Sequence, residues 1–311
     1  EVVEDAAAAT PTLDPFSAAL PGGGGTTRQD LAPDTPASAM PTGPGWGGTF
    51  LERYRAAWDG CVRAAAGSAL LYEDGLFDRL VDFLTAFSSS RVRSFRAAGT
   101  VAGMQVVSSL VGVGDGLREE RDAAQQQLTG AAKGKKGGAA VKLLERNAKE
   151  AHARATQVDE MMKLVYSNLF VARFRDADPM VRTEAISGLG SWMLAYPAHY
   201  LKDFFLKYLG WSLNDREACV RLAVLRALDK LYAQEDSHAL MATFTTRFLD
   251  RLASMVKDVS PAVAAQAVAV AGKLMRRGTG GGVGLADLHE LLQDDNEEVR
   301  EAAAELMPEL L

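Results

Sequence analysis

Four histidines, two cysteines and several carboxylate pairs are the residues of this 311-residue chain with the capacity for catalysis or metal binding. Spacing decides whether that capacity is used. His152, His199 and His238 stand alone, and His289 opens the word HELLQ, which lacks the second histidine that places two imidazoles on one face of a zinc-binding helix. Cys61 and Cys219 are far apart and form neither a CxxC pair nor a Cys/His cluster, so no disulfide framework or zinc site is indicated. The run LVGVGDGL offers two glycines of a dinucleotide loop, but the third position falls on Leu117 and no strand precedes it. A helix end is the expected reading there. GGGG at Gly22 lacks the Lys-Ser/Thr pair of a phosphate loop, and there is no GxSxG. Asp294 and Asp295 fall where a turn and a helix start are expected, not where an acid and a base would face each other. Nothing supports an enzyme, and no cofactor is expected.

The chemistry that remains is recognition. Phe174, Arg175, Asp176, Asp203, Lys207, Tyr208, Trp211 and Arg247 combine aromatic faces with cations and carboxylates, the groups that bind extended partners. On spacing alone, Tyr208 and Trp211 read first as ordinary core residues of a helix, because aromatic stripes are usually core. Basic residues form two further sets: Lys133, Lys135 and Lys136 in TGAAKGKKGG, and Arg216, Arg221, Arg226 and Lys230. These are candidate DNA contacts, and the alternative is a solvated face. The formal charge of -6 gives no general attraction to nucleic acid, so any contact must be local.

Helices must position these residues. From Phe50 onward apolar residues recur at helical spacing and β-branched alternation is nearly absent, so the fold is expected to be all-α. Residues 1–47, rich in Ala, Pro, Gly and Thr, are expected to be disordered apart from a short helix near Phe16. The opening EVVEDAAAATP has neither an initiator Met nor a signal-peptide pattern, and a trimmed or partial sequence is expected. The most apolar run, Val101 to Gly114, is too short to span a bilayer. Two helix-forming runs, Leu117 to Leu128 and Ala139 to Phe170, flank the Gly- and Lys-rich break and predict a long projecting helical hairpin with a basic tip. GTGGGVG, from Gly278 to Gly284, reads as a loop insertion.

Internal repetition is the strongest signal. Asp, four free positions and Val recur in DADPMVRTEAISGL from Asp176, DREACVRLAVLRAL from Asp215, DVSPAVAAQAVAVA from Asp258 and DDNEEVREAAAEL from Asp294. The anchors Val181, Val220, Val263 and Val299 repeat at roughly 40 residues, the period of HEAT and armadillo helix pairs. An earlier copy, SSSRVRSFRAAGTVAGM, is anchored at Val92 and lacks the Asp. In each unit the Asp is expected to cap the second helix and the Val to face the interior. The following Arg is expected to lie over the next repeat and reach its Asp or carbonyls. The array is expected to continue beyond ELMPELL.

The words inside this array resemble a known family. FVARFRDADPMVRTEAISGLGSWMLAYPAHYLKDFFLKYLGWSLNDREACVRLAVLRALDKLY, continuing to FTTRFLDRLASM, is similar to the stromalin conservative domain of the stromal antigen family, the HEAT subunit of cohesin. RFRD, GSWM, FLKYLGW, VRL and FTTRF occur in one order with preserved gaps, and LLYEDGLFDRLVDFLTAFSSSRVRSFRAAGTVAGM resembles the helical domain that precedes them in that family. The resemblance covers roughly Gly43 to Met275. It implies a HEAT-type α-solenoid with a disordered segment over 1–47, a helical domain over 48–115 and a helical hairpin over 116–168. The stromalin conservative domain would occupy 169–256, and truncated further repeats 257–311. It further implies a non-catalytic scaffold, nuclear and chromosomal, that binds the kleisin subunit and through it the SMC ring, contacts double-stranded DNA and supports sister chromatid cohesion, with no membrane role.

Regulators such as shugoshin-like protectors would present aromatic-x-Phe peptides to the conserved surface. By the same resemblance Trp211 and Phe174 would be aromatic walls, Arg175, Lys207 and Arg247 the cationic contacts, and Asp203 and Tyr208 polar edges. Phe174 departs from the pattern, since many relatives carry Tyr there, and so does the insertion at Gly278. Most of the kleisin-binding length is expected beyond Leu311. The alternative is a generic HEAT or armadillo scaffold unrelated to cohesin, which would have the period but no reason to carry FLKYLGW and FTTRF.

Overall fold

The computed structural model describes residues 48–133, 138–278 and 284–307. The expectations for residues 1–47, for Lys135 and Lys136 and for most of the insertion after Gly278 lie outside these residues. Among the described residues every regular element is a helix. The chain runs through α1 (Gly48–Gly67), α2 (Leu76–Ser88), α3 (Arg93–Lys133) and α4 (Gly138–Val165), which returns alongside α3. A five-residue π-helical turn, Tyr166–Phe170, and α5 (Val171–Arg173) then lead into the repeats. These are α6 (Pro179–Ala195), α7 (Pro197–Tyr200), α8 (Asp203–Ser212), α9 (Ala218–Ala233), α10 (Ser237–Ser254), α11 (Pro261–Arg276), α12 (Leu285–Leu291) and α13 (Glu297–Leu306). Helices α3, α6, α9, α11 and α13 pack against one another in that order as a single row, and α8 and α10 form a second layer on it. This is the HEAT-type all-α arrangement.

The glycines of LVGVGDGL were expected to end a helix, yet α3 continues through them for 41 residues. A mid-helix glycine costs about 1 kcal/mol against alanine, and here packing outweighs it. Leu110, Val111 and Leu117 are buried, while Gly112 and Gly114 leave room for the guanidiniums of Arg63 and Arg118. By length and composition α3 contains a window apolar enough for a membrane span. In the fold most of that window is interior, with Val106, Val107 and Leu110 in the core.

The Asp-to-Arg motif has a geometry that explains its spacing. Val181, Val220, Val263 and Val299 are buried between helices of the row. The Asp is not itself the helix cap, as expected from sequence, but lies two residues before it. Its Oδ1 accepts the N–H of the residue at the cap position: Asp176 from Asp178 at 2.9 Å, Asp215 from Glu217 at 2.9 Å, Asp258 from Ser260 at 3.0 Å and Asp294 from Asn296 at 2.8 Å. At the starts of α6 and α13 the cap residues Asp178 and Asn296 then accept a helix N–H themselves. The Arg six residues after the Asp turns back to its carbonyl, as Arg182 does to Asp176 at 2.8 Å and Arg221 to Asp215 at 2.8 Å. Its other edge grips the Asp of the next repeat with two bonds. Arg182 reaches Asp215 at 2.8 and 2.7 Å, and Arg221 reaches Asp258 at 2.8 and 2.6 Å. Each clamp therefore fixes a turn and joins two repeats at once.

The earlier copy is offset from the sequence register. Val92 is 52% exposed and anchors nothing. Ser90 instead takes the Asp role, its Oγ accepting the Val92 N–H at 3.1 Å, and Arg96 returns to the Ser90 carbonyl at 3.0 Å and reaches Asp176 at 3.1 Å. The turn unit is Ser90 and Arg96, with Phe95 at the valine position, three residues later than the valine suggested; at 54% exposed Phe95 does not repeat the buried anchor of the later units.

The clamps link folding to acidity. Burial pushes the carboxyls of the clamp residues Asp215 and Asp258, and of the α6 cap Asp178 beside Arg93, up, but the arginine hydrogen bonds and backbone N–H groups outweigh it and hold all three below the usual carboxylate range. A carboxyl whose folded pKa is depressed contributes stability above its unfolded pKa of about 4 and loses it as pH falls through the folded value. Stability is therefore expected to fall as pH drops below about 5. At pH 7, Arg182→Ala strands the largely buried Asp215 and is expected to cost about 3 kcal/mol in urea unfolding. A variant as stable as the parent would contradict the clamp.

Candidate functional site

The sequence LKDFFLKYLGWS folds into α8, with Asp203 in the first turn, where a carboxylate suits the free N–H groups of the helix end. Phe205, Leu206, Tyr208 and Leu209 turn into the core. Consecutive helical residues point about 100° apart, so Phe204 cannot follow Phe205 inward, and it stands 55% exposed. Lys207 and Trp211 continue the same face at helical spacing, and Trp211 is 47% exposed. The Lys207 Nζ lies over three rings, 4.3 Å from the centre of Phe204, 5.1 Å from Tyr208 and 5.7 Å from Trp211. The Arg175 guanidinium sits 4.8 Å from the centre of Phe174 and 5.9 Å from that of Trp211.

A buried aromatic spine supports this face. Tyr166 and Phe170 stack at 5.2 Å within the π-helical turn, and Phe170 stacks on Phe174 at 5.8 Å. Tyr208 meets the Phe174 ring edge-on at 4.7 Å and Trp211 at 5.5 Å. Burial, reinforced by Tyr208, pushes the Tyr166 phenol well above its ordinary range, and among the described residues its hydroxyl is within hydrogen-bonding geometry of no partner. Gly210 lets α8 approach α10 closely, since a Cβ there would collide with the Phe248 ring. Arg247 stacks on that same Phe248 at 5.6 Å, not on Trp211.

Several expected site residues therefore differ in availability. Phe174 is only 7% exposed, and its ring lies 6.4 Å from Trp211 at 26°, which leaves no space for a third ring between them. The exposed feature is an open ledge of Trp211, Lys207 and Phe204, not a slot between Phe174 and Trp211. Tyr208 is buried and serves as the floor. Asp176 is committed to Arg96 at 3.1 Å and Arg173 at 2.7 Å, so it is not free for a peptide. Asp203, Arg175 and Arg247 are exposed.

Among the candidate DNA contacts, Arg221 is spent in its clamp on Asp258, and Arg216 lies beside Glu217 at 3.5 Å. Arg226 and Lys230 project from the outer face of α9, one turn apart. Lys133 is the last residue of α3. Phe204 was missed from sequence, although two adjacent phenylalanines in an amphipathic helix already imply that one is exposed.

The arrangement has no nucleophile beside a base. It offers a flat indole and a phenyl ring, two cations held by ring faces and one carboxylate. Contacts of a cation with an exposed ring are worth about 0.5–1 kcal/mol each, so the cations are pre-positioned at low entropic cost.

Comparison with known proteins bears on this surface. The stromalin conservative domain family matches residues 175–249, and the STAG domain family matches residues 48–149. Sister-chromatid cohesion protein 3 of Arabidopsis thaliana is 34% identical over 258 residues, which is 83% of this chain and 23% of that protein. Human cohesin subunit SA-3 is 36% identical over 232 residues, 73% of this chain and 18% of that protein. The chain thus spans about a fifth of the length of these relatives. The solved cohesin subunit Scc3 from Z. rouxii superposes with a TM-score of 0.69 over 84% of this chain and 30% of that one, at 23% identity, a likeness of fold.

Proposed function

Because this chain belongs to the stromalin family of cohesin subunits, we propose that it is a non-catalytic scaffold of the cohesin complex whose α8 ledge binds aromatic-x-Phe peptides of regulatory proteins. The observation that carries this reading is Trp211, half exposed on a rigid helix and flanked by Arg175 and Lys207. A large aromatic left in water at the centre of a cation-rimmed face matches the composition of interface anchors. The peptide's aromatic side chain lies on the indole and Phe204, and its backbone or acidic groups meet Arg175, Lys207 and Arg247. Kleisin completes the surface and ties the chain to the SMC ring, placing it on nuclear chromosomes in support of sister chromatid cohesion. The test is a pull-down from cells expressing the full-length product. Kleisin should co-purify, and its absence beside a folded full-length protein would count against the cohesin role.

DNA contact is a second part of the proposal, favoured by Arg226 and Lys230 on the outer face of α9 and by the lysines around the hairpin tip. Phosphate contacts lose affinity steeply with salt, whereas an aromatic anchor is much less sensitive. Neutralising Lys133, Lys135 and Lys136 together is expected to lower affinity alike for unrelated DNA sequences and to flatten the salt slope by up to about 3 units. An unchanged slope would remove the tip from the DNA surface.

A further inference from the structure

The clamps between repeats stop before the row does. Asp176 is held by Arg96, Asp215 by Arg182 and Asp258 by Arg221, each arginine coming from the preceding helix of the row. At the next step the residue in the arginine position, six after Asp258, is Ala264, itself buried. Asp294 keeps its turn bond to the Asn296 N–H at 2.8 Å, and Arg300 of its own unit returns to its carbonyl at 2.8 Å, but its carboxylate receives no arginine from the preceding helix among the described residues. What joins this step instead is Lys257, whose Nζ bridges Asp287 at 3.0 Å and Glu290 at 2.7 Å on α12. Lys257 and Glu290 are exposed and Asp287 is partly so, unlike the largely buried Arg182–Asp215 and Arg221–Asp258 pairs. Apolar packing continues across the step, with Val263, Val299 and Ala303 buried.

A bidentate arginine in a protein-lined turn fixes both distance and angle, and salt screens it weakly. An exposed lysine is a flexible point charge that fixes little beyond proximity. It is also screened once the Debye length falls toward the contact distance. We infer that the step from α11 to α12 and α13 is a compliant, salt-sensitive joint. The clamped block from α6 to α11, which carries the aromatic ledge, stays rigid, while the elements from α12 onward change their bearing on it. Its position is set by one residue, the alanine that replaces arginine at 264.

Hydrogen exchange on the whole chain, read by mass spectrometry, tests this. Between about 20 mM and about 500 mM salt, exchange in α13 around Val299 to Ala303 should rise several-fold while exchange in α9 changes less than about twofold. Ala264→Arg supplies the missing clamp and should slow α13 exchange about tenfold and remove most of its salt response. Adding Asp294→Asn to that variant should restore the parent behaviour. An α13 that does not respond to salt, or a folded Ala264→Arg protein with parental exchange, overturns the joint. Since position 264 is buried, Lys257→Met gives an independent reading. It should bring low-salt α13 exchange to the high-salt level of the parent, and an unchanged rate overturns the proposal.

Discussion

Replacing Trp211 with alanine is expected to weaken binding of an aromatic-x-Phe peptide by roughly thirtyfold or more, with the melting temperature nearly unchanged. The two halves of this result follow from the same geometry. The indole is half exposed, and the two buried rings beside it, Tyr208 and Phe174, keep their contacts with each other and with Phe170 when it is removed. What disappears is the flat anchor and the ring face near Arg175 and Lys207. Loss of a central aromatic anchor commonly costs about 2 kcal/mol or more of binding. The measurement pairs a peptide titration with a thermal melt on one preparation, kleisin included. Unfolding of the variant would make Trp211 a core residue, and unchanged affinity would place the peptide elsewhere.

Val220→Asp is expected to have the largest effect on stability, more than about 4 kcal/mol, enough to unfold much of the repeat block. Val220 is fully buried near the start of α9, whose neighbours in the row are α6 and α11. A carboxylate introduced there has no arginine within its own turn, because Arg182 and Arg221 are already committed to Asp215 and Asp258. Val220→Ala, which removes only methyl groups, should cost far less, about 1–2 kcal/mol. Circular dichroism melts of both variants decide it, and an aspartate variant that melts with the parent would refute the burial of the repeat anchor.

The parts of this structure legible in the sequence are those fixed by local chemistry repeated in register. Asp, Val and Arg at constant spacing announce a turn, a buried anchor and a reach to the next unit, and the structure shows that reach in Arg182 and Arg221. The unit before the hairpin was misread by three residues because Ser90 does the work of an aspartate and Phe95 stands where the others have valine. Asp176 looked available because its partner Arg96 lies on the far side of the α3–α4 hairpin, 80 residues away in sequence. Glycines in α3 read as a helix end because their cost is local while the packing that offsets it, against α1 and α4, is not. At the ledge, type and spacing pointed to Trp211, Lys207 and Arg175. They did not separate exposed Trp211 from buried Tyr208, three residues before it, since that division depends on where the π-helical turn sets Tyr166 and Phe170.

The central claim, that the α8 ledge is the peptide-binding surface, is tested most directly by following the tryptophan indole N–H resonances while an aromatic-x-Phe peptide is titrated into the protein with kleisin bound. Trp192 is an internal reference, since it is buried and donates its indole N–H to the Ser108 Oγ at 3.0 Å. The account predicts a saturable shift of the Trp211 resonance with Trp192 unmoved. Saturable peptide binding that leaves Trp211 unshifted would contradict it.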